Sequence, residues 1–178
     1  MLALAVLVAP AAGLAQRSTL GVPQVDETIE RARAAEAVLE LPASSRPANL
    51  AEFQVTDRRG LKYFVDTGSL AVTRAGDVRF TLVVRSPSGV DNVSYEGFRC
   101  TRREHRIYAV GRADGSWAAI PEQSARSDRV PNKSTNHYSA TLFDDYLCPM
   151  GIPIGDVAEG LMALRRGGNP RAASTTQP

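Results

Sequence analysis

Residues 78–86, Val-Arg-Phe-Thr-Leu-Val-Val-Arg-Ser, constrain the fold more than any other stretch of this chain. In an extended strand successive side chains point to opposite faces. Val78, Phe80, Leu82 and Val84 therefore share one face, and Arg79, Thr81, Val83 and Arg85 share the other. Gly76-Asp77 turns the chain into this strand and Ser86-Pro87-Ser88-Gly89 turns it out. A strand bracketed by tight turns has antiparallel neighbours, because parallel pairing requires a long crossover. The flanking segments 52–56, 62–66, 70–73, 92–100, 105–112 and 116–120 are rich in strand-forming residues, and Asp114-Gly115 is a hairpin signal. Residues 121–136 are polar and are expected to form a loop.

The pattern then changes period. Leu142, Phe143, Tyr146 and Leu147 form a helical apolar face over 138–147, which Cys148 closes and Pro149 stops. Val157, Leu161 and Leu164 form a second stripe over 156–166, ended by Gly167-Gly168. The expected architecture is α+β, an antiparallel β-meander of about five to six strands with two C-terminal helices packed on one face. Residues 50–166 are taken as a single domain. A tail over 167–178 is small and polar and is expected to be disordered.

Leu2 to Val8 is uninterrupted apolar sequence, and Pro10 and Gly13-Leu14-Ala15 follow. This is the form of a signal peptide over 1–15, cleaved after Ala15, and it predicts a periplasmic protein with no transmembrane segment in the mature chain. No Lys or Arg precedes the apolar run, so the true translation start is expected to lie upstream or to be miscalled. Residues 16–49 are expected to hold an N-terminal helix at 25–39, with Val25, Ile29, Ala32, Ala35 and Leu39 as its stripe, and then a linker containing Pro42 and Pro47.

Export bears on the cysteines. Cys100 and Cys148, 48 positions apart, allow one intramolecular pairing in an oxidising compartment. A metal pair or a catalytic thiol competes, with neither a CxxC spacing nor a nearby histidine to recommend it. A disulfide would clamp a strand end to a helix end.

The segment 92–100, Asn-Val-Ser-Tyr-Glu-Gly-Phe-Arg-Cys, holds the main candidate for chemistry. Alternation places Ser94, Glu96, Phe98 and Cys100 on one side, so Glu96 lies at or near the buried face and needs a partner. Arg85 or Arg106, on the adjacent strands, would supply it. The arrangement is an ion pair at the sheet's rim or a small polar ligand pocket, with Arg85, Glu96, Arg99 and Arg106 as candidate binding residues. Arg99, Arg102, Arg103 and Arg106 form a basic run that Glu104 dilutes. It reads as a solvated surface or as a contact for phosphate or phospholipid head groups.

Little else points to catalysis. His105 and His137, with Asp144 and Asp145, lack ligand spacing on one element, so no metal is expected and no cofactor motif is present. Ser86-Pro87-Ser88-Gly89 lacks the Gly-x-Ser-x-Gly elbow, and Trp117 reads as a packing residue. A formal net charge of +2 excludes nucleic acid as the expected partner.

The segments VRFTLVVRSP (78–87), NVSYEGFRC (92–100), YAVGRADGSW (108–117), HYSATLFDDYLCP (137–149) and EGLMALRRGGNP (159–170), with Leu41-Pro42, resemble the CNP1-like family of exported proteobacterial proteins. The likeness runs in order from 41 to 170 and departs at Ala43 to Ser45, where similar proteins carry a bulkier, aromatic-containing segment. It implies a Gram-negative cell-envelope location and one domain holding both cysteines. It assigns no activity, cofactor or catalytic residue. The function expected is a periplasmic binding or interaction module for an envelope protein or small ligand. The alternative is an enzyme or enzyme accessory acting on envelope components, with Glu96 as its acid–base group.

Overall fold

A computed structural model describes residues 39–56, 59–121, 127–133 and 137–173. The leader 1–15 and the body of the expected N-terminal helix lie outside the described residues. The strands are β1 (Leu50–Phe53), β2 (Lys62–Val72), β3 (Asp77–Arg85), β4 (Asp91–Arg99), β5 (Glu104–Gly111), β6 (Trp117–Ala119) and β7 (Ser127–Arg129). β1 to β6 neighbour one another in chain order, every pairing is antiparallel, and β7 adds to β5. The sheet is the expected meander with one strand more.

Two strand expectations are corrected. Residues 62–66 and 70–73 belong to one strand, interrupted by an irregularity between Asp66 and Ala71. There Ser69 Oγ takes the place of a ladder acceptor, receiving the Thr81 N–H at 2.8 Å while donating to the Asp66 carbonyl. β7 lies inside the expected loop. Ser-Asp-Arg has no apolar alternation, and its side chains are exposed. It is held by backbone pairing with Glu104 to Arg106, and the next residue, Val130, is buried.

Val78, Phe80 and Leu82 of β3 join Tyr63, Val65 and Leu70 of β2 and Phe98 of β4 in the core. On that core pack α1 (Tyr138–Thr141), the π-helical stretch Leu142–Leu147 that continues it, and α2 (Val157–Arg166). The wider turn is visible where Cys148 N–H reaches the Phe143 carbonyl at 2.8 Å. Leu142, Phe143, Tyr146 and Leu147 are all buried, as their spacing required. Asp156 caps α2 by accepting from Glu159 N–H, and Gly167 ends it at φ 75°. Gly160 faces Leu70 and Ile154 so closely that a Cβ would lie 2.7 Å from each, which sets how near α2 sits to its neighbours.

The Cys100–Cys148 disulfide is present and joins the end of β4 to the end of the π-helical stretch. Two segments expected to lie outside the domain are built into it where they are described. Ser45 is buried, its N–H bonds the Gly115 carbonyl, and Trp117 Nε1 donates to the Pro42 carbonyl at 2.8 Å. Asn169 is buried, and α3 (Pro170–Ala173) is tied back through Arg171 to Glu159 at 2.6 Å. No helix among the described residues is long and apolar enough to cross a membrane.

Candidate functional site

Glu96 sits in β4 opposite Phe80 on one side and Ile107 on the other, facing the helices. It is 1% exposed, among the most deeply buried polar residues described. A carboxylate there requires donors, and three side chains supply them. Ser94 Oγ donates to Oε1 at 2.5 Å, His105 Nε2 meets Oε2 at 2.7 Å, and the Tyr138 hydroxyl lies 3.3 and 3.4 Å from the two oxygens.

The expected arginine partner is thereby corrected. Arg85 makes a two-pronged pair with Asp91, at 2.7 and 2.8 Å, across the turn between β3 and β4. Arg106 is opposite Gly97, on the face away from the helices. Phe80 and Glu96 share a face, so every odd-numbered residue of β3, Arg85 included, points to the other one. His105, opposite Phe98, is the basic group on Glu96's side.

Tyr138 covers this pair from α1. Its ring stacks on Tyr63 at 5.7 Å and stands edge-on to His105 at 6.1 Å. Burial, and next the Glu96 charge, hold its hydroxyl far above the ordinary phenol range, so it is a fixed donor. His137 precedes it as the helix cap, with Nδ1 2.7 Å from Ser139 Oγ. Asp144 and Asp145 are committed elsewhere, to Arg103 at 2.6 Å and Lys133 at 2.6 Å. Among the described residues no group of three or more His, Cys, Asp or Glu is arranged to hold a metal.

The candidate arginines collect on the opposite face. Between the Tyr95–Ala109 and Glu96–Ile107 pairs the register slips, and Tyr108 is the additional residue. Its ring lies over Gly97, where a Cβ would meet Tyr108 Cε2 at 2.9 Å and the Val78 carbonyl at 3.1 Å. Arg79 and Arg106 place their guanidinium carbons 5.5 and 5.4 Å from that ring's centroid. Arg106 Nε is buried without a hydrogen-bond acceptor. A narrow cleft beside it is lined by Asp77, Arg99, Glu104, Arg106, Tyr108 and Ser127, and Arg99 bonds Glu104 at 2.9 Å. Arg85 instead lines an open groove of about 430 Å³ with Glu52, Lys62, Phe64 and Pro87, its guanidinium 5.0 Å from the Phe64 ring centroid.

The four candidate residues are thus divided. Glu96 lies under the helices, Arg99 and Arg106 share a cleft on the other face, and Arg85 lines a separate groove. Arg79 and Tyr108 were not foreseen as partners of Arg106, although Gly97 within a strand is a signal of close approach. Gly97→Ala is expected to displace Tyr108 and cost about 1–3 kcal/mol. A lower urea midpoint and an altered near-ultraviolet tyrosine dichroism check this, and an unchanged spectrum counts against the contact.

A family model described as the CNP1-like family matches residues 30–165. The chain belongs to the CNP1-like family. The matched span holds both cysteines, the seven strands among the described residues, Glu96 with its three donors, and the Arg79–Tyr108–Arg106 group. No curated protein and no solved structure matches the chain. Membership in the CNP1-like family brings no assigned activity to any of these residues.

Proposed function

We propose that this protein is a periplasmic binding or interaction module of the cell envelope, exported by a signal peptide cleaved after Ala15. Its contact surface is the sheet face away from the helices, centred on Arg106 and Tyr108 and including Arg79 and Arg99. The observation that carries this is Arg106, held against Tyr108 with a buried Nε that lacks an acceptor. An unmet buried donor is costly, and an incoming acceptor relieves that cost. The partner recognised is one that presents an acceptor group, carboxylate or phosphate, to a guanidinium.

The alternative, an enzyme using Glu96 as acid–base, has less support. Its carboxylate lies beneath Tyr138 and is engaged by Ser94, His105 and Tyr138. That arrangement suits a structural group better than one facing a substrate.

Site-directed photocrosslinking in intact cells tests the module reading. A crosslinker at Ser127, which is exposed and lines the cleft, is expected to give a discrete adduct. Arg106→Ala in the same chain should reduce that adduct roughly tenfold, the effect of losing one charge-assisted hydrogen bond. An adduct indifferent to Arg106→Ala, or the same adduct from a crosslinker at exposed Met150, would sink the assignment. The intact mass of the secreted form should begin at Gln16.

A further inference from the structure

We propose that His137 is a proton-operated helix cap: a proton taken up at its Nδ1 releases the first turn of α1 and lifts Tyr138 from the Glu96–His105 pair. This device is independent of the partner surface proposed above and concerns the other face of the sheet.

The geometry begins with the cap. His137 has extended backbone at φ −87° and ψ 135°, and its side chain accepts the Ser139 N–H. The ring atom is Nδ1, 3.3 Å from Ser139 N and 2.7 Å from Ser139 Oγ. To accept there, Nδ1 must carry its lone pair, so the ring is neutral with its hydrogen on Nε2. The usual capping residues, Ser, Thr, Asp and Asn, remain acceptors at every ordinary pH. A histidine is different, because it gains a second N–H close to neutrality. Protonated His137 would turn an N–H toward the Ser139 N–H, keeping only the Ser139 Oγ as an acceptor, and would set a positive charge at the positive end of the helix.

The groups around the ring oppose that proton on balance. Partial desolvation of the ring is the largest influence holding His137 below its ordinary value of 6.5, and His105 of β5 comes next. Glu96 of β4 favours the proton, and Arg59, ahead of β2, opposes it. The ring of Tyr138 of α1 lies against His137, tilted by 31° at 4.7 Å between centroids, and Tyr63 of β2 stacks on Tyr138. These are the titratable and charged neighbours among the described residues. His137 is itself exposed, so a proton reaches it without any prior opening.

The consequence falls on Tyr138, the first helical residue, whose hydroxyl bridges the two Glu96 oxygens. Loss of the cap frees the turn that holds this lid. The sign is fixed by the direction of the shift. The unfolded chain takes up the proton as pH falls through 6.5, and the folded chain takes it up only lower. The cap's contribution is therefore complete above 6.5 and is lost progressively as the pH falls toward the folded value.

Amide hydrogen exchange of the full chain between pH 7.5 and 5, corrected for the intrinsic pH dependence, tests the device. Protection across 138–141 is expected to fall by up to about tenfold per unit of pH between 6.5 and the folded value and to level off below it, while β3 and β4 stay protected. His137→Asp, which keeps an acceptor throughout that range, should hold protection level. The ring nitrogen shifts of the wild-type protein should also show the Nε2–H tautomer at pH 7.5. Equal acid loss of protection in His137→Asp, or an Nδ1–H tautomer in the wild type, would overturn the proposal.

Discussion

Glu96→Ala is expected to cost about 3–5 kcal/mol, and Glu96→Gln roughly 1–3 kcal/mol. The carboxylate lies 1% exposed in the same sheet layer as Phe80 and Phe98, whose ring centroids are 5.1 Å apart. Phe98 in turn meets His105 at 5.4 Å and Phe143 at 5.3 Å. Electrostatic interactions gain strength there, and an unmatched polar group is expensive. Alanine leaves Ser94, His105 and Tyr138 without their common acceptor and opens a void the size of the lost side chain. Glutamine keeps the shape and one carbonyl acceptor for Ser94 and Tyr138. Its amide then faces His105 Nε2, which can serve as an acceptor in the other tautomer. Urea denaturation at pH 7 measures both variants, and a double-mutant cycle with His105→Gln separates the pair from the remaining donors. A loss below 1 kcal/mol for Glu96→Ala would show that the buried network carries little of the stability.

Glu96's burial was legible in the sequence, because it alternates with Phe98. The same alternation should have excluded its proposed partners. Val84 faces the core, so Arg85 faces away, and Arg85 accordingly pairs with Asp91. Arg106 follows His105 and points oppositely. What the sequence could not provide was register, which decides that His105 stands opposite Phe98 and so reaches Glu96. Tyr138 arrives from a helix 42 positions away, beyond any local pattern. The basic run is divided among partners that no local pattern shows. Arg99 and Arg103 are neutralised by Glu104 and Asp144, and Asp144 is 41 positions from its partner. β7 lacked a signal because an edge strand of exposed polar residues is specified by backbone pairing alone. The helices, by contrast, were set by apolar spacing and by Asp156, Gly167 and Pro149, all of which are local signals.

Removing the disulfide by Cys100→Ala with Cys148→Ala is expected to lower stability by roughly 4 kcal/mol, the chain-entropy value for closing a loop of this size. The sequence separation is 48 residues, and the enclosed segment carries β5, β6, β7 and α1. In the unfolded chain the bond restricts all of that segment. In the folded chain both cysteines are buried, with Cys148 at the point where the π-helical stretch meets Pro149. The helices keep other anchors to the sheet. Arg103 grips Asp144 with two bonds, at 2.6 and 2.8 Å, and Phe143 packs edge-on against Phe98. The reduced protein should therefore fold, with a lower urea midpoint. Amide protection should weaken most over 138–154 and least over β2 to β4, where pairing is between neighbouring strands. The oxidised protein should also be two hydrogens lighter than the reduced one by intact mass. An unchanged midpoint on reduction would mean that Arg103–Asp144 and the aromatic packing hold the helices alone. Uniform loss of protection would mean instead that sheet and helices unfold as one unit, so that the bond tethers the whole domain rather than one layer.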